Sequence, residues 1–180
     1  MRRERSRAGF TLIEMMMVVG ILGVLSALAI PAFAMMIARS KTAEVAGNLS
    51  AMYKHAASYY ASERSNRGSV SSVGGHCTVD DAQPSPLAPS KLKQPFNADA
   101  SFRELGFTLS DFVYFQYGLA SAGGTSSCQH QPNSSGLYTF YAHGDLDSDG
   151  TRSTFELAAG SDAYNLLFHS RGLYIDKETE

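Results

Sequence analysis

Five oxygen-bearing side chains follow one another at short, regular spacing late in the chain, in the segment GDLDSDGTRSTFE. They are Asp145, Asp147, Asp149, Thr151 and Glu156. Hard oxygen ligands at this spacing converge on one cation in the twelve-residue loop of the EF-hand, in which a glycine makes the sharp turn. Gly150 stands at that position. The spacing D-x-D-x-D-G-x5-E therefore makes calcium a candidate ligand of this loop.

The residues around the loop favour a second interpretation. The strand-like segment LYTFYAH at 137–143 precedes it, where an EF-hand has a helix, and Arg152 stands where a hydrophobic residue usually anchors the loop. Asp, Ser and Gly are also the residues that a β-hairpin turn prefers. A hairpin turn without metal and a calcium site both remain open, and the two are compatible because a cation can brace a turn.

Cys77 and Cys128 are the two cysteines of the chain, and both follow its long apolar segment. If that segment carries the rest of the chain across a membrane, the thiols face an oxidising compartment. A disulfide between them would close a loop of about 50 residues and contribute roughly 3–4 kcal/mol in the chain-entropy model. Two unrelated buried thiols are the alternative. His76 and His130 lie beside the cysteines but give too few ligands for a metal site.

Glu14 is the one charged residue between Phe10 and Ala38. The charge-free run that follows it, Met15 to Ala38, has 24 residues, and about 20 apolar residues span a bilayer as a helix. A carboxylate just inside such a segment is costly and is by default a functional hypothesis that requires a partner. Arginines cluster before the segment, which places the N-terminus in the cytoplasm and the bulk of the chain outside. They are Arg2, Arg3, Arg5 and Arg7.

Two simpler interpretations of this segment compete. A secretory signal peptide has a shorter apolar core, of about 7–15 residues, and ends at a small-residue cleavage site. An ordinary single-pass anchor fits the length but does not account for Glu14. A glutamate that merely reaches the lipid headgroups is a third alternative.

The sequence GFTLIE at 9–14 resembles the prepilin cleavage and methylation motif of type IV pilins and of type II secretion pseudopilins. The match comprises a short basic leader that ends in Gly9, then Phe10, then Glu14, then an apolar stretch, and it covers roughly residues 1–60. The resemblance implies that a prepilin peptidase cuts between Gly9 and Phe10 and methylates the new amino group of Phe10. In a fibre, Glu14 of one subunit would then pair with the Phe10 amine of a neighbour and set the register.

Pro31 interrupts the apolar helix, since it lacks a backbone donor and its ring clashes with the carbonyl four residues back. We expect a kink or local melting between Gly23 and Pro31. Similar pilins often have a proline here and loosen this segment in the filament. A tolerated membrane proline without a role is equally compatible with the sequence.

The elements that must position these residues follow from the apolar pattern. Apolar residues recur at helical spacing after Arg39, which predicts one long helix whose second half is amphipathic. Its predicted apolar face comprises Ala46, Leu49, Tyr53, Ala56 and Tyr60, widened by Val45, Met52 and Tyr59. Its predicted polar face comprises Lys41, Glu44, Asn48, Lys54 and Ser58.

After the helix, a Ser-, Gly- and Pro-rich connection at 64–101 and a helical turn at 101–105 lead into β-prone segments. These lie at 111–119, 137–143 and 153–158, with further segments near 164–168 and 172–176. The predicted fold class is α+β, with the helix packed on a small antiparallel sheet. The predicted organisation is a leader at 1–9, a membrane or fibre-core helix at 10–38, an amphipathic helix at 39–63 and a β head at 64–180.

Composition limits the function classes. The chain carries 15 basic and 17 acidic residues, and without its first nine residues 11 basic face 16 acidic ones, so no nucleic-acid surface is expected. No nucleophile elbow, Walker loop or HExxH sequence occurs, and we predict no enzyme activity.

The prediction is a major or minor subunit of a type IV pilus, for adhesion, twitching motility or DNA uptake. By the resemblance, its partners are other pilin subunits, the peptidase, an inner-membrane assembly platform and the membrane. It would span the inner membrane before assembly, with the head in the periplasm, and lie in an extracellular or periplasmic fibre afterwards. A type II secretion pseudopilin and a membrane-anchored periplasmic binding module are the alternatives.

Overall fold

The computed structural model describes residues 9–62, 64–65, 72–73 and 75–179, and the last-named segment holds most of the sheet. Residues 1–8 of the predicted leader at 1–9 lie outside the described residues, as does Glu63 at the predicted end of the amphipathic helix. The chain divides into two compact units, one ending at Ile37 and one beginning at Ala38.

The helix α1 runs from Leu12 to Ala61 and contributes to both units. In the first unit, every described residue from Gly9 to Ile37 is exposed. α1 is the one helix of the described residues that is long and apolar enough to cross a membrane, with a mean hydropathy of 2.3 in its most apolar window. Length and composition alone support this, because the structure contains no membrane.

In the second unit, α1 buries most of the predicted apolar face. Leu49, Ala56 and Tyr60 are buried as predicted, and so are Val45 and Met52, which were predicted to widen the face. Ala46 is exposed and Tyr53 is half-buried, because the face is centred on larger apolar side chains, which remove more area from water than alanine does. The buried residues are Thr42, Val45, Leu49, Met52, Ala56 and Tyr60, at spacings of three and four.

An antiparallel sheet packs against this face of α1. Its strands are β3 (Ala82–Ser85), β4 (Gln116–Ser121), β5 (Tyr138–Gly144), β6 (Ser153–Ser161), β7 (Leu167–His169) and β8 (Tyr174–Asp176). The order is β3-β4-β5-β6-β7, and β8 also pairs with β6. A separate short pair joins β1 (Arg64–Ser65) to β2 (Ser72–Val73). A long N-terminal helix with an antiparallel sheet confirms the predicted α+β class.

Alternation along β5 shows how the sheet forms its share of the core. Tyr138, Phe140 and Ala142 are buried, while the residues between them are half-buried on the other face. The short helix α2 (Ala100–Leu105) closes the core beside β3. The Asp99 side chain accepts a hydrogen bond from Phe102 N, and Gly106 ends the helix with a φ of 72°. The helical turn expected at 101–105 is therefore confirmed.

Two sequence expectations for the head differ from the structure. The strand predicted at 111–119 begins only at Gln116, because Val113 pairs instead with Gln94 in an isolated bridge. The connection predicted as irregular at 64–101 contributes β3, which hydrogen-bonds to β4 as an edge strand. Pro84 lies in β3, and a residue without a backbone N–H is tolerated in a strand at an edge.

Candidate processing and assembly segment

The predicted cleavage site lies directly before α1. Gly9 and Phe10 are outside regular secondary structure, and the Phe10 side chain is 80% exposed. The bond between these residues is therefore accessible to a partner in this structure. Cleavage and methylation themselves stay predictions.

Thr11 and Glu14 form a reciprocal cap at the start of α1. Thr11 N and Thr11 Oγ1 each donate to Glu14 Oε2 at 2.8 Å, and Glu14 N donates to Thr11 Oγ1 at 3.3 Å. This is the geometry of a capping box, which satisfies backbone N–H groups that the first helical turn leaves unpaired. The T-x-x-E spacing is readable from sequence, but the role of Thr11 was missed there.

The cap engages one oxygen of the Glu14 carboxylate. Both Thr11 donors bind Oε2, so Oε1 is the oxygen available to a further donor. A carboxylate with two local donors is less costly to place in an apolar environment than an isolated one. Glu14 can thus serve the helix start and still accept a positive partner.

The large apolar side chains of this segment are exposed in the described structure. Phe10 through Ile37 contain eighteen large hydrophobic side chains that are between 43% and 80% exposed. Soluble monomers rarely expose a continuous apolar surface of this extent, which marks a membrane or protein contact. An apolar environment such as a membrane or a partner protein would cover these side chains.

Pro31 lies within this surface, and α1 continues through it without interruption from Leu12 to Ala61. Local melting near Pro31 is therefore absent from the described subunit. The loosening expected in a fibre stays a prediction, as does any role of Pro31 in assembly.

The same segment matches a family model described as the prokaryotic N-terminal methylation motif, over residues 5–30. The chain is 38% identical over 112 residues to the type IV major pilin protein PilA of Myxococcus xanthus (strain DK1622), which covers 53% of this chain and 50% of that pilin. It is 48% identical over 61 residues to the fimbrial protein EcpC of Eikenella corrodens, or 34% and 39% of the two chains. It is also 48% identical over 46 residues to the type IV major alpha-pilin of Moraxella bovis, or 26% and 29%.

The chain carries a prokaryotic N-terminal methylation motif, and it is similar to type IV pilins over about half of its length or less. It spans half or less of the length of the curated relatives it matches. No solved structure matches it significantly.

The head of the chain contains a disulfide between Cys77 and Cys128, 51 residues apart. Cys77 is buried and Cys128 is exposed. Because both sulfurs are bonded to each other, neither acts as a thiolate ligand for a metal. His76 instead stacks on Tyr60 at the end of α1, with 4.7 Å between ring centroids, and its Nδ1 lies 2.9 Å from Tyr60 O.

The other histidine near the bridge also has a structural environment. His130 Nε2 lies 3.1 Å from Thr78 Oγ1 and 3.0 Å from Ser127 Oγ. Its backbone carbonyl accepts a hydrogen bond from Asn165 Nδ2, and the Asn165 carbonyl oxygen accepts one from Tyr60 OH. The two histidines therefore help to hold the disulfide region against α1.

The acidic loop connects β5 to β6 as a hairpin. Carboxylate oxygens of Asp145, Asp147 and Asp149 lie within 4.8 Å of one another. Each accepts from a nearby backbone amide: Ser148 N at 2.7 Å, Asp149 N at 3.2 Å and Thr151 N at 2.6 Å respectively. The hydrogen bond from the Thr151 backbone, followed by one from its side chain, lowers the pKa of Asp149. These contacts support the hairpin interpretation, because the carboxylates hold the turn themselves.

Glu156 does not join this group. It lies in β6 opposite Tyr141, three residues after the strand begins at Ser153. An extended strand advances about 3.3 Å per residue, which carries Glu156 about 10 Å from the loop. Thr151 contributes a backbone donor to Asp149. Calcium binding stays a prediction, and the described residues bring together three of its five predicted ligands.

Proposed function

We propose that this prepilin-like chain is a structural subunit of a type IV pilus that polymerises through its N-terminal helix. The observation that carries the proposal is the exposed apolar surface of residues 10–37, which holds Glu14 as its single charged side chain. The matches to the methylation motif and to pilins support it. We infer a structural role and no catalytic one.

Processing would prepare the Glu14 site. A prepilin peptidase would cut between Gly9 and Phe10, remove the arginine-rich leader and methylate the amine of Phe10. The new positive amine would lie four residues from Glu14. In the fibre, the Phe10 amine of one subunit would donate to Glu14 Oε1 of its neighbour while Thr11 holds Oε2. A misaligned subunit would bury an unpaired charge, so the pair sets register.

The first test replaces Glu14. We expect Glu14→Ala to insert into the membrane and to be processed, but to be absent from sheared fibres by immunoblot. Met16→Ala is the matched control, because it removes a side chain of similar size from the same exposed helix. Normal fibre incorporation of Glu14→Ala would contradict the proposal.

A second test reads the N-terminus of protein from its native host. Mass spectrometry should find a mature chain that starts with methylated Phe10. An intact Met1 would favour a membrane-anchored binding module instead, because such a module has no need to lose its leader.

The location and partners follow from this proposal. Before assembly the subunit would span the inner membrane, with the head in the periplasm. An inner-membrane platform would then transfer it to a fibre of pilin subunits, as a major or minor component for adhesion, twitching motility or DNA uptake.

A type II secretion pseudopilin is the second candidate. The converging carboxylates of Asp145, Asp147 and Asp149 favour it slightly, because some pseudopilins bind calcium late in the chain. Fibres that extend beyond the cell surface would exclude this candidate, whereas calcium-dependent stability with no external fibre would support it.

A further inference from the structure

We infer that the head rests, before assembly, on the anionic phospholipid headgroups of the bilayer that holds its apolar segment. The contact surface is a basic–apolar patch formed by Lys41, Lys91, Leu92, Lys93 and Phe112, all in the second unit. This inference rests on the proposed function in one respect, namely that residues up to Ile37 lie in the membrane.

Lys41 lies close in sequence to the end of the apolar segment. It follows Ile37, the last residue of the apolar unit, by four residues of continuous helix. Four residues of chain reach at most about 14 Å even when fully extended, and the headgroup layer on each side of a bilayer is about 5–8 Å thick. Chain length alone therefore keeps Lys41 within reach of the headgroups when the apolar segment spans the bilayer.

A loop that is distant in sequence lies beside Lys41. Lys41 Nζ lies 4.6 Å from the centroid of the Tyr114 ring, and Lys93 Nζ lies 5.1 Å from the same centroid. The two ammonium groups are thus within about 10 Å of each other around one aromatic ring. Lys93, although 52 positions later in the sequence, therefore lies beside Lys41 in the second unit.

Exposed apolar side chains accompany these cations. Leu92 is 72% exposed and Phe112 is 56% exposed. Phe112 and Lys93 line one cleft of about 230 Å³. Apolar side chains interleaved with lysines are the composition of an interfacial membrane contact, because the former enter the acyl boundary while the latter bind phosphates.

The loop that carries this patch is fixed to the head. Gln94 and Val113 exchange two backbone hydrogen bonds of 2.8 Å, and Gln94 Nε2 donates to Ala88 O at 3.2 Å. Leu92 N donates to Ser90 Oγ at 3.2 Å. A loop held at both ends presents Lys91, Leu92 and Lys93 with little ordering cost on binding.

Negative charges near the patch oppose an anionic surface. Glu44 and Asp111 line the same cleft as Lys93. The Glu44 carboxylate is already engaged, since Oε1 accepts from Tyr117 OH at 3.0 Å and from Tyr114 N at 3.3 Å. The acidic hairpin also follows β5 at the end of the sheet where Gln116 pairs with His143, two residues along the chain from Tyr114, although Lys177 lies near Asp149. Arg39, exposed two residues before Lys41, adds a fourth cation next to the patch in sequence.

The test uses the full chain reconstituted in nanodiscs of phosphatidylglycerol and phosphatidylcholine in equal parts, compared with phosphatidylcholine alone. Brief lysine acetylation is followed by mass spectrometry of each site. We expect Lys91 and Lys93 to react several-fold more slowly in the phosphatidylglycerol discs, and the protection to weaken at high salt. Lys54, exposed on α1, is the internal reference and should react equally in both.

Two variants make the test specific. Leu92→Asp combined with Phe112→Ser should abolish the protection, while Leu166→Asp, at an exposed position of the β6–β7 turn, should leave it intact. Equal labelling of inserted chain in both lipids would overturn the docking and leave the pilus proposal standing. Protection that grows with the number of chains per disc and ignores lipid charge would instead assign the patch to a second copy. A chain that fails to insert would contradict both proposals.

Discussion

Single side chains hold the ends of the elements in this protein. Glu14 and Thr11 cap α1, and Asp99 caps α2 while its second oxygen accepts from Gln83 N at 2.6 Å. These contacts satisfy backbone donors that would otherwise remain unpaired. At Glu14 the local structural role and the proposed assembly role use different oxygens of one carboxylate, so the two are compatible.

A single histidine, His143, makes the stability of the head depend on pH. It is half-buried in β5, and its Nδ1 lies 3.1 Å from Thr154 Oγ1. Burial lowers the pKa of His143, with a further contribution from Arg152, while a contact with the Ser153 backbone and the charge of Glu156 partly oppose this. The unfolded chain therefore binds a proton more readily than the folded chain.

We predict that the free energy of unfolding falls as the pH is lowered through about 6.5, the ordinary histidine pKa, towards the lower pKa of folded His143. Thermal melts of the detergent-solubilised chain between neutral and mildly acidic pH measure this. His143→Gln should flatten the profile in that window. His55→Gln, at an exposed position of α1, should keep it, and an unchanged profile in His143→Gln would contradict the assignment.

At the scale of elements, α1 is joined to the sheet by a polar contact within the apolar interface. Tyr117 in β4 is fully buried. Its hydroxyl accepts from Asn48 Nδ2 at 2.9 Å and donates to Glu44 Oε1 at 3.0 Å. Burial, together with the nearby Glu44 charge, raises the pKa of Tyr117, so the hydroxyl stays protonated and can donate.

Removal of this hydroxyl should loosen the attachment of α1. We expect Tyr117→Phe to lower the free energy of unfolding by about 1–3 kcal/mol, because the half-buried Glu44 and Asn48 each lose a partner. Chemical denaturation of the full chain in detergent gives the value. Tyr164→Phe, at a side chain that is 86% exposed, should be neutral. Equal effects of the two substitutions would show that the contact contributes nothing.

At the scale of the whole molecule, one covalent bond encloses much of the head. The Cys77–Cys128 disulfide closes a loop that contains β3, α2 and β4. The bridge lies beside the contact of His76 with Tyr60, which holds it near the end of α1. The disulfide therefore reduces the conformational freedom of the unfolded chain between residues 77 and 128, the segment that contains the paired strands β3 and β4.

We expect the double variant Cys77→Ser, Cys128→Ser to lose about 2–5 kcal/mol of stability, the range typical of native disulfides in small secreted domains. Denaturation with and without reductant tests this. Reductant should weaken the native chain to the level of the double variant and leave the variant unchanged. A native chain that is indifferent to reductant under unfolding conditions would contradict a stabilising bridge.

The sequence by itself determined the main features of the N-terminal half of the chain. The length of the apolar run, the isolated Glu14 and the motif at 9–14 are all local features, and helix formation depends on residues three or four apart. The β-prone segments at 137–143 and 153–158, following one long helix, were sufficient to predict the α+β class, because one face of each segment is largely apolar.

Only the tertiary structure decided which surfaces meet. In the structure Ala46 is exposed, and Glu44 and Asn48, which were predicted on the polar face, form hydrogen bonds with Tyr117 about 70 residues later. The tertiary structure placed Glu156 on a strand outside the acidic loop and set Lys41 beside Lys93. Such contacts depend on the register of the sheet and on side-chain packing between elements distant in sequence, which no local pattern encodes.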